Sequence, residues 1–139
     1  MAHLAVFDTT LQDTNLWLKD IEDALGDCDR HEAYVALRAV LHALRDRLPA
    51  QAAVNFAAQL PMLIRGIYFE GWTLPDKPER SHSADEFAGS INAALPPRYR
   101  FDALACAEAV FSTITRRTSD GEAEKVMAQL PVSIRELWS

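Results

Sequence analysis

Residues 58–65 read AQLPMLIR, and residues 128–135 read AQLPVSIR, which is the same pattern 70 positions later. Shifted by 70 residues, positions 13–69 lie over 83–139 without a gap, and 15 of these 57 positions are identical. Such a match predicts a tandem repeat of one structural unit. A unit of about 60 residues would be marginal alone. We therefore expect the two units to pack as one compact body about an approximate twofold axis.

Each unit is predicted to contain four helices, because its apolar residues recur at helical spacing. The second helix shows the clearest single stripe, formed by Ala33, Leu37, Val40, Leu41, Leu44 and Leu48. The predicted helices of unit one are 14–25, 30–47, 50–58 and 61–72. Those of unit two are 83–95, 100–117, a third that opens at 119–122 and a fourth that begins at Pro131. The fold class is thus all-α, a pseudo-twofold bundle of about eight helices.

The chain divides into an N-terminal arm 1–12, unit one 13–72, a linker 73–82 and unit two 83–139. The linker, TLPDKPERSH, contains two prolines and alternating charges. Capping boxes, in which a small polar residue and a glutamate three positions later satisfy helix-start amides, are predicted at the following pairs: Asp29 with Glu32, Ser83 with Glu86, and Ser119 with Glu122.

Composition excludes some classes of function. The formal net charge is −6, so nucleic-acid phosphates would repel the chain unless arginines formed one face. The residues able to form such a face are Arg45, Arg47, Arg116 and Arg117. No apolar run is long enough to cross a membrane, and the N-terminus does not resemble a signal peptide. Two cysteines without metal-type spacing favour a reducing compartment. We expect a cytoplasmic protein without nucleic-acid or membrane partners.

The paired motif AQLPxxIR, together with LRAVL at 37–41, LRDRL at 44–48 and YFEGW at 68–72, resembles domain-of-unknown-function family 2267. The resemblance covers about 8–138. It implies a bacterial, cytoplasmic, helical protein with this tandem arrangement. It transfers no catalytic residue, because no activity is established for the family.

Residues kept in both units are predicted to be framework. Gln59 and Pro61, with their copies Gln129 and Pro131, lie where a helix begins. Arg47 and its copy Arg117 lie at a helix C-terminus, where a positive charge meets the negative end of the helix dipole. Arg65 and Arg135 are predicted to form ion pairs across helices, with two symmetric anion sites as the alternative.

The densest group of potential metal ligands is the run DCDRHE at 27–32. It enters a helix and is absent from unit two, so a capped helix start is favoured over a metal site. Cys28 near His31 suggests a thiolate pair, yet nothing indicates an oxyanion site. His42 lies three turns from His31 and cannot share a metal with it. Cys106 is predicted to lie in the core. No cofactor, metal or catalytic residue is predicted, and the chain leans away from being an enzyme.

The end of unit one is apolar nearly all round, which indicates burial on more than one side. It is either the junction between the units or a surface for a partner. The interaction candidates are Met62, Leu63, Tyr68, Phe69 and Trp72, with Arg65 and Arg135. The leading hypothesis is a non-catalytic interaction or assembly module, a homodimer or one with a protein partner. The alternative is a small-ligand binding or sensing protein with a pocket between the units.

Overall fold

The structure is a computed structural model that describes residues 4–74 and 83–138. Within these ranges it contains eight α-helices, a closing 3-10 turn and no strand. The helices are α1 Ala5–Leu25, α2 Arg30–Arg45, α3 Ala50–Ala57, α4 Met62–Phe69, α5 Ala84–Ala94, α6 Ala103–Arg117, α7 Glu122–Met127 and α8 Val132–Arg135, followed by the turn Glu136–Trp138. The predicted all-α class is confirmed. Most of the predicted linker 73–82 lies outside the described residues.

The first helix is longer than predicted. It begins at Ala5 rather than near residue 14, so most of the predicted N-terminal arm 1–12 is helical. No glycine or proline interrupts 5–25, and Asp8 in the first turn complements the positive end of the helix dipole. Gly26, at φ 73°, ends the helix in a conformation that glycine adopts without steric cost. The predicted start near residue 14 is wrong because it is based on the repeat. The matching helix of unit two, α5, begins only at Ala84.

The core lies around α2 and α6, which pack against each other. All six residues of the predicted α2 stripe are at most 1% exposed, so that prediction is confirmed. Both α1 and α5 pack against α2 and against α6. The first helix of each predicted unit therefore contacts the second helix of its own unit and that of the other. One cluster of buried apolar side chains includes residues of all eight helices, so these helices form one body.

The repeated motif AQLPxxIR forms the joint between α3 and α4, and again between α7 and α8. Leu60 is 2% exposed and Ile64 is fully buried, which fixes the angle between the two helices. Pro61 stands at the N-cap of α4, where its missing amide costs no hydrogen bond. The same places are taken by Pro131 before α8 and by the buried Ile134.

The arginine that ends each motif turns back over its joint. Arg65 donates from Nε to the carbonyl of Ala57 and from Nη2 to that of Leu60, both at 3.0 Å. Arg135 Nη2 donates to the Leu130 carbonyl at 3.1 Å. These carbonyls lie at or beyond the helix end, where the helix itself supplies no further donor. The predicted ion pairs are therefore wrong: in the described ranges, neither arginine pairs with a carboxylate.

The structure supports two of the three predicted capping boxes, one of them in full. That of Asp29 and Glu32 is complete, with each side chain bonded to the other residue's amide. Ser83 accepts from the Glu86 amide at 3.1 Å, as predicted. The box predicted to open at residue 119 is wrong, because α7 begins after Gly121, whose left-handed backbone carries no side-chain cap.

The predicted role of Arg47 is confirmed, since its Nη1 donates to the Ala43 carbonyl in the last turn of α2 at 2.9 Å. Its Nη2 also donates to Ser90 Oγ on α5 at 2.7 Å. Arg117 is the last residue of α6, but its guanidinium reaches Asp20 on α1. Arg47 and Arg117 occupy matching positions of the repeat. Each of them contacts the first helix of the opposite predicted unit.

Candidate functional site

The interaction candidates at the end of unit one separate into inward and outward groups. Tyr68 is fully buried, and its hydroxyl donates to the Ala53 carbonyl at 2.8 Å. Phe69 and Trp72 are half-buried and pack against the core. Burial raises the pKa of Tyr68 well above its ordinary range. Tyr68 is therefore a core residue and is not available to a partner.

Met62 and Leu63 lie on the outside of the first turn of α4, with 50% and 41% of their surface exposed. The Leu63 amide donates to Thr10 Oγ1 of α1 at 2.9 Å. Because an amide in the first turn of a helix has no partner within that helix, Thr10 caps α4 from another element. This contact places the early part of α1 directly beside the two exposed side chains.

The first two turns of α1 present further apolar side chains to solvent. Phe7 and Leu11 lie on the same helix face as Leu18 and Ile21, because their spacings are four, seven and three residues. The latter two are buried, yet Phe7 is 53% and Leu11 50% exposed. The apolar stripe thus continues beyond the part of α1 that the other helices cover.

These apolar residues lie on either side of the Thr10–Leu63 contact that joins α1 to α4, and we call them together the Phe7 surface. Val6 and Phe7 lie one turn before Thr10, and the α4 residues lie across from it. Each member is between 41% and 63% exposed, and the members are Leu4, Val6, Phe7, Leu11, Met62 and Leu63.

Four of these six residues were not among the predicted interaction candidates, because they lie in 1–12, which was predicted to be an arm. A signal was present: Leu4, Phe7, Leu11 and Leu18 follow helical spacing into the predicted first helix. The internal repeat outweighed that signal, since unit two offers no matching stripe.

The far end of α4 is held by side chains of α2. Arg45 Nη1 donates to the carbonyls of Tyr68 and Glu70 at 2.6 and 2.7 Å. His42 Nε2 lies 2.7 Å from the Ile67 carbonyl, to which it must donate. Burial is the largest cause that lowers the pKa of His42, which favours its neutral form. The Arg45 bonds satisfy carbonyls at the end of α4, and the His42 ring adds a second donor to the Ile67 carbonyl, which also accepts from the Glu70 amide.

A third α2 residue completes this arrangement. Arg38 pairs with the Glu70 carboxylate at 2.7 Å, which lowers the pKa of Glu70. The positions 70 residues later than Arg38, His42 and Arg45 are glutamate, serine and threonine, so unit two cannot hold its last helix in this way. The α2 side chains therefore fix the orientation of α4, and with it the position of Met62 and Leu63.

The run 27–32 joins the two predicted units rather than forming a reactive centre. Arg100 of unit two donates to both carboxylate oxygens of Glu32 at 2.6 and 2.7 Å, which with the Asp29 amide lowers the pKa of Glu32 to about 2. Burial and neighbouring carboxylates raise the pKa of Cys28 to about 11. A thiol with such a pKa is almost entirely protonated at neutral pH and is a poor nucleophile.

Other predicted features take ordinary structural places. Cys106 is fully buried, as predicted. Arg45 and Arg47 are buried, so the four arginines considered for nucleic acid do not make one exposed face. Within 4–74 and 83–138, no group of three His, Cys, Asp or Glu side chains could hold a metal ion. No described helix has both the length and the apolarity needed to span a membrane.

A cleft between α3 and α7 is the nearest counterpart of the predicted pocket between the units. It measures about 260 Å³, and its lining includes Phe56, Lys125 and Val126. Typical ligand pockets enclose roughly 300–1,000 Å³. Larger grooves of about 580 and 400 Å³ are open and mostly polar. None of these three gives specific support to the ligand-binding alternative.

Comparison with protein families finds a match over most of the chain. A family model described as "Uncharacterized conserved protein (DUF2267)" matches residues 14–137, nearly the whole chain. Comparison with curated proteins finds no match.

Proposed function

Because the chain belongs to the DUF2267 family, whose description names no activity, we propose its function from its surface: it is a non-catalytic protein-interaction module. The Phe7 surface is where its partner binds. The leading sequence-based hypothesis is kept, together with its candidates Met62 and Leu63 at the beginning of α4. The proposed contact surface leaves out the buried Tyr68 and the end of α4 and adds the start of α1.

The observation that carries the proposal is the exposure of six large apolar side chains at the starts of α1 and α4, two elements that the Thr10–Leu63 hydrogen bond joins. An aromatic side chain buries about 150–250 Å² and the other side chains here somewhat less, so six that are about half exposed leave roughly 500 Å² in contact with water. Patches of this size on a single protein are commonly binding surfaces.

The Phe7 surface is also preformed. The cap that Thr10 gives to Leu63 joins α1 to α4, and Arg45 and His42 fix the other end of α4. A surface held in this way loses little conformational entropy when a partner binds, which favours affinity.

Site-specific photocrosslinking tests the proposal. A photoreactive phenylalanine analogue is placed at Leu11 in the full chain, and the chain is irradiated in the cells that naturally express it. The control carries the analogue at Val54 of α3, which is 47% exposed and distant in sequence from the Phe7 surface. We expect discrete crosslinked species from position 11 and none from position 54. A chain that yields none from position 11, while circular dichroism shows it folded, contradicts the proposal.

A further inference from the structure

We propose that the partner of the Phe7 surface is a second copy of the same chain, which pairs through the same surface about a twofold axis. This inference rests on the proposed function and names its partner. It follows from the area, the charge and the single occurrence of the surface.

The area fits a weak dimer. Roughly 500 Å² of apolar surface per copy becomes roughly 1,000 Å² when two copies pair, and the rim adds to this. A specific interface needs about 1,000 Å² or more, whereas stable complexes bury about 1,600 Å². The expected assembly is therefore a reversible dimer rather than a permanent one.

The charge favours a like surface over a charged partner. Residues 4–12 contain a single charged side chain, that of Asp8, and neither Met62 nor Leu63 has a charged neighbour within one position. A basic peptide, a nucleic acid or an anionic membrane is selected by opposite charges at the rim of an interface. In the described α1 part the Phe7 surface has one acidic and no basic side chain, and the exposed Arg65 lies one turn after Met62. No band of one charge surrounds these positions, so apolar matching must provide most of the specificity.

The shape of the surface suits helix pairing. Leu4, Phe7 and Leu11 follow one another at three and four residues, which is the spacing of an apolar seam between two helices. In an antiparallel pair of α1 helices, Phe7 lies near the twofold axis and Leu4 faces Leu11 of the partner subunit. The side chains of α4 then close one side of the seam.

Each chain has one such surface in its described part. Val132 occupies the place of Met62 and is 62% exposed, but Ser133 replaces Leu63 and α5 begins only at Ala84. Because a single self-complementary surface is used up when two copies pair, the assembly closes at the dimer and does not extend into a filament.

Sedimentation equilibrium tests the inference on the full chain between about 1 μM and about 1 mM. Three proteins are compared: the wild type, the double variant Phe7→Ser/Leu11→Ser, and the matched control Val54→Ser/Val132→Ser. We expect a monomer–dimer equilibrium for the wild type and the control. The Phe7→Ser/Leu11→Ser variant is expected to weaken dimerisation at least about tenfold, since it removes two seam side chains. All four positions are exposed, so thermal unfolding should change little.

A wild type that stays monomeric up to about 1 mM overturns the inference, as does a double variant that dimerises as well as the control. The crosslinks from position 11 separate this failure from that of the proposed function. A species of twice the chain's mass supports self-pairing. Discrete species of another mass overturn self-pairing but keep the interaction module, and the absence of any species overturns both.

Discussion

Arg117 holds the carboxylate of Asp20, 97 positions earlier, in a two-bond fork: Nε donates to Oδ2 at 2.7 Å and Nη2 to Oδ1 at 3.1 Å. The pair joins α6 to α1, and Asp20 is only 9% exposed. The hydrogen bond from Arg117 is the largest cause that lowers the pKa of Asp20. At the positions 70 residues away, Arg47 donates to Ser90 instead. Of these two matching contacts, the first thus joins opposite charges, whereas the second joins a guanidinium to a neutral hydroxyl.

Asp20→Ala should lower the free energy of unfolding by about 1.5–3 kcal/mol, because it leaves the Arg117 guanidinium without its carboxylate. Ser90→Ala, the matched change, should cost less, about 1.5 kcal/mol, since it removes one hydrogen bond from the Arg47 guanidinium to a neutral hydroxyl rather than two bonds between opposite charges. Urea unfolding at pH 7 measures both. Equal losses would contradict the assignment of the charged pair as the stronger contact.

The pH dependence of this difference follows from the lowered pKa of Asp20. A carboxyl whose pKa is lower in the folded state stabilises the fold above its ordinary value of 3.8. That stabilisation is lost as the pH falls through the folded-state pKa. The stability gap between wild type and Asp20→Ala should therefore be constant near neutrality and narrow below about pH 4. A gap that widens on acidification would refute this.

Arg65→Ala should destabilise the chain more than Arg135→Ala. Arg65 caps two carbonyls of the α3–α4 joint. Each hydrogen bond from a charged group contributes about 1.5–3 kcal/mol, and two such bonds contribute less than twice that amount. One such bond is seen for Arg135. Arg65→Lys should recover less than half of the loss, because an ammonium group cannot reproduce the planar fork. Urea unfolding of the three variants measures these differences in the free energy of unfolding. Full recovery of stability by Arg65→Lys would contradict the two-bond geometry of Arg65.

Acidification should destabilise the wild type relative to His42→Gln. Burial lowers the pKa of His42 below its ordinary value of 6.5, so the unfolded chain takes up its proton first. The stabilisation by the neutral ring is present above pH 6.5 and is lost as the pH falls through the folded-state pKa. Glutamine can still donate to the Ile67 carbonyl but does not titrate. Unfolding between pH 7 and pH 5 tests this, with a change of the exposed His31 to glutamine as the control. A stability gap that does not change with pH would contradict it.

Both thiols should react slowly with a disulfide reagent at neutral pH. Burial is the largest cause that raises the pKa of Cys28 and of Cys106 from 9.0 to about 11. Such a shift leaves roughly a hundredfold less thiolate, and Cys106 is also inaccessible. The Cys106→Ser variant isolates the reaction of Cys28, and the denatured chain gives the unprotected rate. Native Cys28 that reacts as fast as in the denatured chain would disprove the protection.

The sequence was a good guide wherever neighbours along the chain decide the outcome. The α2 stripe is buried as its period predicts, the Asp29–Glu32 box forms within four residues, and Pro61 begins a helix. The motif AQLPxxIR also marked the joints correctly. It did not reveal what Arg65 binds, because the carbonyls of a helix end compete with every carboxylate within reach.

The sequence by itself determined the helical class, the order of the helices and their buried faces, since these follow from periodicity and short-range hydrogen bonds. Only the tertiary structure decided which arginine meets Asp20 and that Thr10 caps α4. It also decided that Tyr68 faces inward while Phe7 stays in water. An apolar stripe on a helix is the same in sequence whether or not another helix covers it. Whether Phe7 is core or surface therefore depends on where the other helices end.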